Sequence, residues 1–159
     1  DAVSILVDDV KNKIVLTPDM AITSNGITFT VSSSGTVTLT GVATATAFFS
    51  VPISFPSGSY MFSGMPTDGG SSTFRQELRA TPGGAVYQVN DTALPSTFER
   101  TTSYSGYYSI RVASGFNCGA GYTLEPMIAH ESLLVISPAF KAGAPTNREL
   151  YELIRGYHP

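Results

Sequence analysis

From Gly26 onward the chain alternates apolar and polar residues in short runs punctuated by glycine, serine and proline. In "GITFTV", Ile27, Phe29 and Val31 fall on one side and Thr28 and Thr30 on the other. The loop "SSSG" separates this run from "TVTLTG", where Val37 and Leu39 repeat the pattern. Two alternating runs joined by a glycine-containing loop predict a β-hairpin. "AFFSVPISF" predicts a third strand. Its Pro52 has no amide to give to a ladder, which assigns the strand to an edge or a bulge. "GSYMFSG", "STFRQELRA", "AVYQV", "STFERTT", "GYYSIRVA" and "GYTLEPMI" continue the series. Strands recur about every ten residues with no helical run between them, so the fold class is all-β, an antiparallel sandwich or barrel. The pattern speaks against a parallel α/β sheet.

The two ends read differently. Asp1 to Asp19 is mixed in pattern and fits a short lead-in helix or an edge strand. The organisation is therefore 1–23 as an N-terminal lead-in, 24–129 as the β-sandwich domain and 130–159 as an extended tail with a short C-terminal helix. That helix lies in "TNRELYELIR". Thr146 and Glu149 form a capping box that satisfies two backbone donors. Leu150, Leu153 and Ile154 make an apolar stripe at helical spacing, and Gly156 stops the helix. So short a helix does not stand alone in water. Its stripe packs on the sandwich or meets a partner chain. We assign Leu150, Leu153 and Ile154 as an oligomer contact.

Composition narrows the setting. The chain has 159 residues, which favours one domain with a self-sufficient core. Charged residues are 13% of the total, about half the usual ~25%. Serine, threonine and glycine fill the surface instead, as suits an extracellular or virion protein. The net charge of −3 gives no long-range attraction for nucleic acid. No apolar run reaches the ~18 residues of a spanning helix, so membrane insertion is not expected. The chain begins at Asp1 rather than Met and shows no signal peptide, which reads as a fragment of a longer protein or a processed form. The single cysteine, Cys118, excludes an internal disulfide.

Signals for chemistry are few. His130 and His158 stand apart, each without a second metal-type ligand at helical or hairpin spacing. The nucleophile elbow and the phosphate loop are absent. Glu77 and Glu99 lie on predicted strands and are the available carboxylate pair for glycan hydrolysis. Asp8 and Asp9 are either calcium ligands or a solvated acidic pair. The chain is read as non-catalytic and without a cofactor.

The informative feature is the polar side of the central strands. In "STFRQELRA", Phe74, Gln76 and Leu78 alternate with Arg75, Glu77 and Arg79. In "GYYSIRVA", Tyr108, Ile110 and Val112 alternate with Tyr107, Ser109 and Arg111. If the two strands share a sheet, Arg75, Glu77, Tyr107 and Arg111 share a face, with Tyr87 and Gln88 joining from the neighbouring run. An aromatic ring stacks on a pyranose, and Arg and Glu bond its hydroxyls. The candidate ligand is therefore a glycan. The alternative is a solvated face with cross-strand ion pairs.

The runs "NGITFTVSSSGTVTLTGVAT", "GSYMFSG", "YYSIRVASG", "YTLEPMI" and "SPAFKAGAPTNRELYELI" together resemble a domain of structural proteins in bacteriophages and prophages. The resemblance covers residues 24 to 155. It is carried by Asn25, Gly26, Thr28 and Phe29, by Pro126, Met127 and Ile128, and by Asn147, Glu149 and Leu150. The sequence departs from the family at "FKAGAP" and at Leu39-Thr40-Gly41. The resemblance implies a jelly-roll sandwich similar to carbohydrate-binding modules, placed on a tail, baseplate or head fibre. It implies no enzymatic activity. The implied partners are a bacterial surface glycan, other phage structural proteins and identical chains in a homotrimer, and the implied location is the surface of the virion. Two functions follow: an adhesin that holds a host glycan, or a decoration or assembly domain without a ligand.

Overall fold

The computed structural model describes residues 12–130. The strands are β1 (Ile22–Ser24), β2 (Ile27–Val31), β3 (Val37–Val42), β4 (Ala47–Phe55), β5 (Gly58–Ser63), β6 (Phe74–Arg79), β7 (Val86–Asn90), β8 (Ser96–Arg100), β9 (Tyr104–Val112), β10 (Asn117–Leu124) and β11 (Met127–His130). A single 3-10 turn, Pro18–Met20, precedes them. They form three antiparallel sheets: a first in the order β1-β2-β3-β10, a second in the order β11-β5-β8 and a third in the order β4-β9-β6-β7.

The third sheet turns one side against both of the others. Phe49 of β4 meets Phe29 of β2 with ring centroids 5.7 Å apart, Tyr108 of β9 meets Phe62 of β5 at 6.2 Å, and Phe55 meets Tyr60 at 4.7 Å. One core runs through all three sheets. The chain enters the third sheet from β3 to β4, β5 to β6 and β8 to β9, and leaves it from β4 to β5, β7 to β8 and β9 to β10, in the manner of a jelly roll. The fold is thus the all-β antiparallel sandwich that the alternation predicts.

Period-two patterning built this core, because successive side chains of a strand point to opposite faces. Ile27, Phe29, Val31, Val37 and Leu39 are all buried. Pro52 lies on β4, an edge strand whose ladder partner is β9. "GYTLEPMI", predicted as one strand, is two. β10 ends at Leu124 in the first sheet and β11 begins at Met127 in the second. The physical reason is Pro126, which brings no amide to a ladder. Just before it, the amide of Glu125 turns aside to donate to the carbonyl of Gly64 at 2.9 Å. β1 adds a strand to those the alternation predicts, and Gly26, expected at the start of a run, lies with Asn25 in the loop between β1 and β2. Upstream, Ile14 and Leu16 are buried, and Asn12 accepts from the amide of Ile128 while donating to the carbonyl of Pro126. Asp8, Asp9 and the capping box, stripe and helix at 146–156 lie outside the described residues.

Candidate functional site

The third sheet has a second side, facing outward. Register fixes its rows. Phe48, Arg111 and Arg75 lie side by side across β4, β9 and β6. Ser50, Ser109, Glu77 and Val89 form the next row, and Pro52, Tyr107 and Arg79 the one after. Because β6 and β9 are neighbours, Arg75, Glu77, Tyr107 and Arg111 do share one face. Their sequence neighbours Gln76, Leu78, Tyr108 and Ile110 are buried on the other.

Glu77 anchors the face. It is wholly buried, and both its carboxylate oxygens are engaged. Arg75 donates to Oε2 from Nε at 2.9 Å and approaches it through Nη2 at 2.8 Å. Arg79 donates to Oε1 at 2.7 Å and to the carbonyl of Gly84 at 2.6 Å. The ion pairs run along one strand rather than across strands, since residues two apart share a face. The guanidinium of Arg79 also lies 5.0 Å from the centre of the Phe48 ring, a cation–π contact. Phe48 reaches it across the row of Ser50 and Ser109, whose small side chains bond each other at 2.8 Å and leave room for the ring.

The loop before β6 leans on the same face. Arg75 donates to the Ser71 hydroxyl at 3.1 Å, and Arg111 donates to the Ser71 carbonyl at 3.4 Å. The Ser71 hydroxyl in turn donates to Asp91. At the other end, Pro52, Ser54, Ser105 and Tyr107 border a shallow depression of about 320 Å³.

Two predicted members do not join this face. Gln88 pairs with Leu78 and so faces its side of the sheet. Tyr87 sits at a bulge, where the register shifts between Leu78 and Arg79. Its ring stacks on Tyr104 at 5.3 Å and meets Phe98 edge-on at 5.9 Å. Its hydroxyl donates to the carbonyl of Glu99 at 3.3 Å, and Arg100 lies over both Tyr87 and Tyr104. Tyr87 therefore closes the seam between the second and third sheets. The bulge, invisible in the alternation, is the physical reason. Burial raises the pKa of Tyr104 there, against the opposing effect of Arg100.

Phe48 is the member that sequence reasoning missed. The signal was present: in "AFFSVPISF" the period that buries Ala47, Phe49, Ile53 and Phe55 turns Phe48 toward Ser50 and Pro52. Glu77 and Glu99 stand on different sheets, with Glu77 held by two arginines and Glu99 exposed, so they do not face each other as a pair. His130 packs edge-on against Tyr60 at 5.4 Å. Cys118 is buried, and that burial pushes its thiol pKa up, away from a reactive thiolate. Among the described residues no three His, Cys, Asp or Glu gather as a metal site.

No protein-family model matches the chain, and no curated protein matches it. Among solved structures it is similar to a carbohydrate-binding module, CBM6cm-2 from Cellvibrio mixtus lichenase 5A, in complex with cellotriose. The identity is 16%, the match covers 74% of this chain and 97% of that chain, and the TM-score is 0.43. The fold assignment rests on the strand pairings and not on this likeness.

Proposed function

We propose that this domain is a non-catalytic module that binds a glycan on the outer face of the third sheet. The observation that carries the reading is the joint placement of Phe48, Tyr107, Arg75 and Arg111 on one sheet face. Two rings offer flat apolar surfaces for pyranose C–H groups. The guanidiniums offer several N–H donors in fixed planes. Ser50 and Ser109 leave room for the Phe48 ring to lie across their row, and the ion pairs with Glu77 hold Arg75 and Arg79 in place. The depression beside Tyr107 extends the surface along the strands.

The biological setting we propose is the surface of a phage virion, where the module holds a sugar of the bacterial host. Support for it is the resemblance of residues 24 to 155 to phage structural domains. In that setting Leu150, Leu153 and Ile154 join identical chains, as a trimer. Truncation after Ala144 tests this part: light scattering should report a larger full-length particle and a folded, monomeric shortened protein. A full-length monomer across a wide concentration range would sink the oligomer.

A glycan array on the purified protein tests the binding reading. Reproducible hits that fade in Tyr107→Ala, with an unchanged melting curve, are the expected result. The second reading is a virion assembly domain without a ligand. It is favoured by the mutual satisfaction of Arg75, Glu77 and Arg79, which gives the face a structural purpose of its own. A blank array from a stable trimer decides for that reading.

A further inference from the structure

Three of the five lysine and arginine residues in 12–130, Arg75, Arg79 and Arg111, stand on the outer face of the third sheet. The chain as a whole is acidic, with a net charge of −3. Glu77 is the carboxylate in these rows, and it is buried beneath its two arginines. With Arg79 largely buried as well, the face presents Arg75 and Arg111 outward, and Asp91 stands at its edge on the Ser71 hydroxyl.

The arrangement is also unfavourable in a specific way. Arg75 and Arg111 are direct cross-strand partners. Like charges directly opposite each other on adjacent strands destabilise a sheet. Both guanidiniums converge on one residue, Ser71: Arg75 on its hydroxyl and Arg111 on its carbonyl. Arg75 shares the single Glu77 carboxylate with Arg79 on its other side. Arg111 has no such carboxylate among the described residues, and its bond to Ser71 is long at 3.4 Å. A second arginine placed against the first, without an anion of its own, is a pair of donors awaiting an external acceptor.

Resting on the glycan reading above, we infer that the ligand is an acidic glycan, whose oxyanion binds between Arg75 and Arg111 while its sugar ring lies on the aromatic surface of Phe48 or Tyr107. A carboxylate, sulfate or phosphate group on the sugar supplies the same chemistry, acceptor oxygens that take charge-assisted hydrogen bonds from a planar guanidinium. A neutral sugar leaves the repulsion between the two arginines in place. An acidic one removes it, so binding and stabilisation of the sheet come together.

The test is an array in which each neutral glycan is printed beside its uronate, sulfated and phosphorylated counterparts, with poly-glutamate as a polyanion that has no sugar ring. Hits confined to acidic glycans, weakening as salt is raised, support the inference, and the counterpart that binds identifies the oxyanion. Equal binding of neutral and acidic partners overturns it and leaves the glycan reading standing. Equal binding of poly-glutamate overturns it as well, since charge alone then suffices. A blank array removes both readings. For the acidic hit, Arg111→Gln should weaken binding by about tenfold or more, the scale of one charge-assisted bond. Arg100→Gln, which alters a cation outside the face, should leave affinity unchanged. The melting temperature of ligand-free Arg111→Gln should hold or rise, because the like-charge contact is gone. A fall in stability that accompanies the loss of binding would make Arg111 a structural residue and overturn the inference.

Discussion

Glu77 shows how one side chain organises a surface without being part of it. Fully buried, it holds Arg75 and Arg79 in place through both oxygens. A charge removed from such a cluster leaves its partners uncompensated, which costs more than the pair was worth. Glu77→Gln should therefore lower the unfolding free energy by about 3 kcal/mol, at the low end of the range because Arg75 is partly exposed. Urea unfolding measures it, and a change below about 0.5 kcal/mol, the scale of a surface substitution, would contradict the anchoring role. Tyr108 gives a pH signature at the same scale. Burial pushes its phenol pKa well above the usual value. The folded state then keeps a proton that the unfolded chain releases. Stability from this group is complete below the unfolded tyrosine pKa of about 10 and falls as pH rises beyond it. Melting temperature against pH should bend downward from about pH 10, and Tyr108→Phe should flatten the part of that slope that Tyr104 does not carry.

At the level of elements, turns decide where strands start. Ser24 pairs with Ile27, so Asn25 and Gly26 make a two-residue hairpin loop between β1 and β2. Their φ values are 44° and 87°. Positive φ at both central residues is what a type I′ turn requires, and Asn-Gly is its preferred pair. Gly26 is also crowded: a Cβ there would sit 2.2 Å from the carbonyl oxygen of Val42. Gly83 has a φ of 71° and nothing within 4 Å of such a Cβ. Gly83→Ala should thus incur the left-handed penalty alone, about 1–2 kcal/mol. Gly26→Ala should cost clearly more, because a backbone oxygen has to move. Paired thermal melts compare them, and equal losses would show that the approach of Val42 has no energetic weight.

Across the whole molecule, a buried polar network joins the layers. Gln76 on β6 donates to the carbonyl of Ser63 on β5 at 2.7 Å and to Asn90 on β7 at 2.9 Å, and it accepts from the Tyr108 hydroxyl at 2.7 Å. Asn90 continues to the Leu94 carbonyl and the Ser96 hydroxyl. The sandwich is thus tied between its second and third sheets by hydrogen bonds as well as by apolar packing. Gln76→Leu keeps the bulk of the side chain and strips partners from three groups. Each buried polar group left without a partner costs about 1–3 kcal/mol. A loss of about 3 kcal/mol in chemical denaturation is the expected outcome. A neutral result would mean that the network contributes specificity and no net stability.

The alternation of residues carried most of the fold. Phe29, Leu39, Phe49, Leu78, Tyr108 and Ile110 declare their inward faces in the sequence because a strand has a fixed period of two. That same period placed Arg75 with Glu77 and Tyr107 with Arg111, and it would have placed Phe48 beside them. Pro52 announced an edge or a bulge through its missing amide, whereas a strand run begun at Gly26 passes over the turn preference of Asn25-Gly26. Other features depended on partners distant in the chain. Nothing local says that β6 pairs with β9, more than twenty-five residues on, yet that pairing brings the two halves of the candidate site together. The bulge that turns Tyr87 toward Tyr104 and Arg100 arises where the register of β7 slips against β6. The break between β10 and β11 is local in its cause, Pro126, but the sheets that the two strands join are set by β3 and β5. Outside the Tyr87 bulge, side-chain direction is a property of the residue's own strand, so the sequence determined it. Strand neighbourhood and register are set by contacts between distant segments, so only the tertiary structure decided which residues meet.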